Sequence, residues 1–271
     1  MRVGDFEVNR LGFGAMRVLG TADIWGPARD PANAKKVLRR AYDLGANFFD
    51  TAESYGPHTN EMLIADAMHP YPKDLVIATK CGLVRPGPSR WDEDARPEKL
   101  KKDLEGSLKR LKLDCLHLWQ LHAPDPKVPL EESLGVMADA QRAGKVRHIG
   151  VSNFTLKELE RARKVANIVS VQNRYSVGDR KDEDVLARCR ELKIAFLPWY
   201  PLGAGSALRM AKLKKLAKAH GATPAQIAIA WLLAKSPVML PIPGTSSVAH
   251  LEENMAAAKL ELSQEDMAAL D

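Results

Sequence analysis

Leu130-Glu131-Glu132-Ser133-Leu134-Gly135-Val136-Met137-Ala138-Asp139-Ala140-Gln141-Arg142-Ala143-Gly144-Lys145-Val146-Arg147-His148-Ile149-Gly150-Val151-Ser152-Asn153 contains one complete unit of the fold. Apolar residues return at helical spacing through Leu130–Ala143, and Gly144 follows where a left-handed C-terminal cap is wanted. A strand-like run, Val146–Ser152, comes next and ends on polar Ser152-Asn153. Working outward, the same alternation fills the chain. Strand-like runs fall at Asn47–Asp50, Leu75–Lys80, Asp114–His122, Ile168–Gln172, Ile194–Trp199 and Val238–Ile242, with a weaker one at Leu11–Met16. Helical stretches separate them at Ala32–Leu44, Asn60–Met68, Pro97–Leu111, Leu156–Val165, Glu183–Leu192 and Ala225–Ala234. Strand alternating with helix implies a parallel sheet wrapped by helices. Eight units with no linker predict one α/β domain over residues 1–271, a (β/α)8 TIM barrel with an extra helix at Ser263–Asp271. An open doubly wound sheet is the structural alternative.

Composition agrees with a globular protein: 271 residues, 45% hydrophobic and 27% charged. No apolar run reaches the roughly 18 residues of a membrane span, and the N-terminus carries no signal-peptide core. Three dispersed cysteines (Cys81, Cys115, Cys189) match neither a disulfide framework nor a zinc spacing, so a reducing cytoplasm is the expectation. The net charge of +6 is mild. Its densest cluster, Lys212, Lys214, Lys215 and Lys218, alternates with Leu213, Leu216 and Ala219 as on a surface helix, which argues against nucleic acid as a partner.

In a barrel the chemistry gathers at the C-terminal ends of the strands. Here those ends are polar: Asp50, Lys80, His122, Ser152-Asn153 and Gln172, with Tyr55 just past the first of them. Their joint placement predicts one pocket. The residue types also fit one task. A phenol such as Tyr55 ionises near pH 10, and a neighbouring Lys80, itself held by Asp50, would favour phenolate. His122 can orient a carbonyl oxygen by hydrogen bonding, so the set suits proton delivery to oxygen while another group attacks carbon. No G-x-x-x-x-G-K-[ST], H-E-x-x-H or G-x-S-x-G is present, and Gly12-Phe13-Gly14 and Gly203-Ala204-Gly205 do not complete a dinucleotide fingerprint. His117 and His122 lie on opposite faces of one strand, a poor metal pair, and no metal is expected.

Read in order, Gly45-Ala46-Asn47-Phe48-Phe49-Asp50-Thr51-Ala52-Glu53-Ser54-Tyr55-Gly56, Ile77-Ala78-Thr79-Lys80, Gln120-Leu121-His122 and Arg147-His148-Ile149-Gly150-Val151-Ser152-Asn153-Phe154 resemble the aldo-keto reductases. The resemblance spans almost the whole chain. It implies a catalytic tetrad of Asp50, Tyr55, Lys80 and His122, with Tyr55 the general acid in reduction. It also implies a nicotinamide cofactor whose carboxamide is held by Ser152, Asn153 and Gln172, over Trp199 in place of the family's stacking tyrosine. Leu202, Gly203 and Gly205 would lie against the pyrophosphate, and Gly14, Ala15, Met16 and Arg17 would be further neighbours. The 2′-phosphate segment corresponds to Gly244, Thr245, Ser246, Ser247 and His250, with Glu253 and Asn254 at the adenine end. Family members carry a lysine and an arginine where this chain has Gly244 and His250. NADPH is the expected cofactor, with NADH use left open. The resemblance further implies a monomer acting on small carbonyl compounds, close to a bacterial-type branch of general aldehyde and pyridoxal reductases. Trp25, Arg85 and Trp91 are the expected substrate-lining residues. A nicotinamide-binding regulatory protein of the same fold is the alternative.

Overall fold

The computed structural model describes every residue except Ser206. Seven strands form one parallel sheet in strict chain order: β1 Phe13–Gly14, β2 Phe48–Asp50, β3 Val76–Cys81, β4 Leu116–Leu121, β5 Val146–Ser152, β6 Ile168–Gln172 and β7 Ala195–Phe196. Helices α1 Pro31–Asp43, α2 Thr59–Met68, α3 Pro97–Leu111, α4 Leu130–Arg142, α5 Leu156–Ala162, α6 Glu183–Leu192, α7 Ala211–Ala219, α8 Pro224–Lys235, α9 Val248–Ala256 and α10 Gln264–Leu270 wrap it. The expected eighth strand, Val238–Ile242, closes the ring with single bonds. Leu240 N–H donates to Phe196 O at 2.9 Å, and Gly12 N–H donates to Pro241 O at 3.0 Å. Pro241 and Pro243 have no N–H, so a regular ladder cannot form there. The barrel expected from the sequence is the observed fold.

Local chemistry accounts for the boundaries. Thr155 with Glu158 and Thr223 with Gln226 build capping boxes at α5 and α8, and Ser263 with Asp266 builds one at α10. The expected C-terminal caps Gly45 (φ 96°) and Gly144 (φ 75°) turn the chain out of α1 and α4. Elsewhere the elements are shorter than the sequence suggests. Ala15–Leu19 winds into a 3-10 turn instead of extending β1, and Pro198 interrupts the run after β7. Two small hairpins lie outside the alternation. Arg2–Val3 with Phe6–Glu7 contributes Val3 to the core inside the barrel, and Leu83–Val84 with Asp92–Glu93 follows β3.

Side chains segregate by the pleat. Phe48, Val76, Ala78, Leu118 and Val169 fill the barrel with Leu240 and Ile242, whereas Phe49, Ile77, Trp119, Ile149 and Val171 belong to the cluster shared with the helices. A register shift between Ile168 and Ser170 adds one residue to β6, so Val169, Ser170 and Gln172 all serve the interior. Gly150 makes room for this, since a Cβ there would stand 2.1 Å from Ser170 Oγ. The three cysteines are free thiols, and among the described residues no helix is long and apolar enough to cross a membrane.

Candidate active site

A polar layer crosses the top of the barrel at the ends of β2–β6. Lys80, with no exposed surface, donates from Nζ to Asp50 Oδ2 (2.7 Å), Thr51 O (2.8 Å) and Tyr55 Oη (3.3 Å). Asp50 Oδ1 accepts from Gln172 Nε2 (2.8 Å) and Gln120 Nε2 (3.2 Å), and Ser170 Oγ donates to Gln120 Oε1 (3.2 Å). The ammonium and the carboxylate are thus both buried and both multiply bonded, the condition under which such a pair is tolerated. Tyr55 and His122 face each other edge-on, ring centres 5.8 Å apart, with Trp91 against both at 6.2 and 6.4 Å.

Electrostatics fixes the protonation states. Burial, then the charge of Asp50, then Tyr200, pushes the Tyr55 phenol well above its ordinary value. Proximity to Lys80 is expected to favour phenolate; burial outweighs it, and Tyr55 holds its proton. Burial drives Lys80 downward against the opposing pull of Asp50, and it drives His122 well below 6.5 with help from the Lys80 charge. His122 is therefore a neutral imidazole at neutral pH. Ser54 Oγ stands 3.5 Å from its Nδ1, and Asn153 Nδ2 donates to its carbonyl at 2.9 Å.

The tetrad opens into a cavity of about 940 Å³. Of the expected cofactor residues, Gly14, Met16, Arg17, Ser152, Asn153, Gln172, Trp199, Leu202, Gly205, Gly244, Thr245 and Ser246 line it. Ser152 Oγ donates to Gln172 O (2.7 Å), Asn153 Nδ2 to Ser152 Oγ (3.2 Å), and Trp199 Nε1 to Asn153 Oδ1 (3.0 Å), so the expected carboxamide cradle is one bonded unit. Asn153 holds φ at 61°, a left-handed conformation that Asn tolerates. Gly203 forms the adjoining turn, donating to Tyr200 O at 2.7 Å.

Other expected residues stand outside that wall. Ala15 is buried, its carbonyl accepting from Asn60 Nδ2 at 2.9 Å. Ser247 caps α9 by accepting from His250 N–H (3.4 Å), and the His250 side chain is exposed. Glu253 accepts from Thr223 Oγ1 at 2.6 Å, and Asn254 is buried in α9. Of the three substrate-lining expectations only Trp91 faces the cavity. Arg85 lies behind it, guanidinium 3.7 Å from the Trp91 ring and 5.4 Å from that of Trp25. Its donors are taken by the carbonyls of Asp23 (2.8 Å), Arg90 (2.8 Å), Ile24 (3.1 Å) and Ser54 (3.5 Å). Arg85 therefore clamps two loops rather than meeting a substrate anion, and Trp25 packs with it.

Sequence reading missed several wall residues: Thr21, Ala22, Arg29, Leu83 and Tyr200. It also passed over Gln120 and Ser170, although both are polar residues inside otherwise apolar strands, the signal that marked the strand ends. The donor set suits a dinucleotide: amides and a hydroxyl beside the tetrad, glycine backbone at Gly14 and Gly205, and hydroxyls of Thr245 and Ser246 at the far end.

A model of the aldo/keto reductase family matches residues 10–271. The pyridoxine 4-dehydrogenase of Escherichia coli is 44% identical over 276 residues, covering 99% of this chain and 96% of its own length. An uncharacterised oxidoreductase of Schizosaccharomyces pombe is 45% identical over 272 residues, covering 100% of this chain and 88% of its own. Among solved structures, the thermostable aldo-keto reductase Tm1743, crystallised with the inhibitor epalrestat, superposes with a TM-score of 0.87 at 35% identity, covering 99% and 96% of the two chains. An aldo-keto reductase from Klebsiella pneumoniae in complex with NADPH superposes with a TM-score of 0.84 at 26% identity, covering 97% and 90%.

Proposed function

The chain belongs to the aldo/keto reductase family and is an oxidoreductase, and from that premise we propose that it reduces aldehydes to alcohols with NADPH, aromatic aldehydes of the pyridoxal type being the favoured substrates. The observation that carries this reading is the buried hydrogen-bonded group of Lys80, Asp50 and Tyr55, with His122 edge-on to Tyr55, in the wall of the cavity. Family membership makes NAD(P)H-dependent carbonyl reduction the reaction class. The finer choice of aldehyde rests on the aromatic wall of Trp91 and Tyr200 around the tetrad and on the likeness to a pyridoxine 4-dehydrogenase.

Bound in this cavity, NADPH supplies a hydride to the carbonyl carbon. Everything else is the work of the chain. Ser152, Asn153 and Gln172, which line the cavity beside the tetrad, would hold the carboxamide and so orient the nicotinamide toward the substrate. His122, neutral, donates to the carbonyl oxygen from whichever ring nitrogen bears the proton, and the Tyr55 hydroxyl donates beside it. As negative charge builds on that oxygen, these preorganised donors stabilise it, and Tyr55 gives up its proton. The phenolate left on Tyr55 lies 3.3 Å from the Lys80 ammonium, which Asp50 keeps in place. Burial makes that phenolate costly, so the proton leaves only as a substrate oxygen accepts it.

The test is loss of reduced-nicotinamide absorbance with para-nitrobenzaldehyde and with pyridoxal, NADPH and NADH run side by side. Consumption with stoichiometric alcohol formation supports the reading. Tight NADPH binding with no turnover on any carbonyl would replace it by a regulatory role for the same fold.

A further inference from the structure

The cavity runs from the tetrad to Thr245 and Ser246, where a cation is expected but neither corresponding position supplies one. The structure gives the reason at position 244. A Cβ there would stand 2.2 Å from Gly14 O, and a Cβ on Gly14 would stand 2.5 Å from Ile242 O. The backbones that close the barrel are too near for any side chain at 244. His250 is exposed, outside the cavity wall.

Two arginines occupy this end instead, both on the segment after β1. Arg17 and Arg29 line the cavity. A Cβ built on Gly244 would lie 3.7 Å from Arg17 Cβ, and one built on Gly20 would lie 3.7 Å from Arg29 Cβ and 3.9 Å from Ser246 Cβ. Arg17 thus sits over the strand ends, and Arg29 stands further out beside Ser246. Neither enters an ion pair among the described residues, and the carboxylates of Asp30, Asp23 and Glu252 have other partners. Asp30 accepts from Asn33 N–H (3.0 Å), Asp23 from Ser89 Oγ (2.7 Å), and Glu252 pairs with Arg40 (2.7 Å). The loop between them is fixed: Asn33 Nδ2 donates to Ser246 O at 2.8 Å, and Thr245 Oγ1 accepts from Ser247 N–H at 3.1 Å, leaving its hydroxyl proton to donate outward.

Resting on the reading of NADPH as cofactor, we propose that Arg29 recognises the adenosine 2′-phosphate together with Thr245 and Ser246, and that Arg17 neutralises the diphosphate further in. An arginine fork matches phosphate oxygens in pairs, and two unneutralised guanidinium groups beside two hydroxyls replace the cations absent at 244 and 250. Selectivity for NADPH then comes from the segment after β1 rather than from the loop before α9.

Fluorescence titration of NADPH and NADH against wild type, Arg29→Ala and Arg17→Ala tests this without turnover, with 2′,5′-ADP and 5′-AMP as competitors. Arg29→Ala is expected to weaken NADPH and 2′,5′-ADP by about tenfold or more while leaving NADH and 5′-AMP unchanged, and Arg29→Lys to recover part of the loss. Arg17→Ala is expected to weaken NADPH and NADH in parallel. An unchanged NADPH-to-NADH ratio in Arg29→Ala, or equal affinity for the two in wild type, overturns the proposal. Wild type that binds neither dinucleotide overturns the cofactor reading, and the proposal with it.

Discussion

Lys80 and Asp50 show what a single buried charge demands. Each is nearly inaccessible, and the ammonium spends its donors on Asp50 Oδ2, Thr51 O and Tyr55 Oη. Removing one partner of such a pair strands the other, at about 3–5 kcal/mol. Asp50→Ala should therefore lower unfolding free energy by about that amount in urea titration, besides abolishing turnover. A variant as stable as wild type would contradict the pairing. The residues of this layer were legible in the sequence wherever a polar side chain ended an apolar run: Asp50, Lys80, His122, Ser152 and Gln172. Their mutual bonds were not. That Gln172 supports Asp50, and that Ser170 holds Gln120, depends on which strands lie side by side and on one extra residue in β6. Arg85 misled for the opposite reason: a cation near a cleft reads as a ligand, and only the carbonyls around it reveal a clamp.

At the scale of elements, α3 is bound to the loop after β2 by a buried ionic group. Lys99 donates to Glu53 Oε1 (3.1 Å) and to Asp103, whose other oxygen accepts from Gly82 N–H (3.4 Å). Burial and the neighbouring Glu53 push Asp103 up to about 7, from an ordinary 3.8. The folded chain therefore keeps a proton that the unfolded chain releases between those values. This group's contribution to stability declines as pH rises from about 3.8 to about 7 and is level above. Chemical denaturation across that range should show the decline reduced in Asp103→Asn; parallel wild-type and variant profiles would contradict it. Helix positions were the most legible elements, because Pro97, Thr223-Pro224 and Gly144 mark their ends directly. Strands at the seam were the least. A two-residue β1 and a proline-interrupted Val238–Ile242 carry too few ladder bonds for pattern alone to bound them.

For the whole molecule, closure of the barrel and shape of the cofactor end are one problem. Gly14 and Gly244 let the first and last segments meet, and the same contact forbids a side chain where the family's lysine stands. Gly14→Ala would drive a Cβ to within 2.5 Å of Ile242 O, a backbone atom with little freedom to yield. The expected outcome is a loss of about 1–3 kcal/mol in stability together with weakened NADPH binding, read by thermal unfolding and titration on one preparation. Unchanged values in both would mean that the seam relaxes freely. The central claim, that Tyr55 protonates the carbonyl oxygen, is tested most directly by comparing Tyr55→Phe with wild type for NADPH-dependent reduction of para-nitrobenzaldehyde, with NADPH affinity measured on the same samples. General-acid catalysis predicts a fall in kcat of about 10²–10⁴-fold with affinity retained. Undiminished turnover in Tyr55→Phe would contradict it.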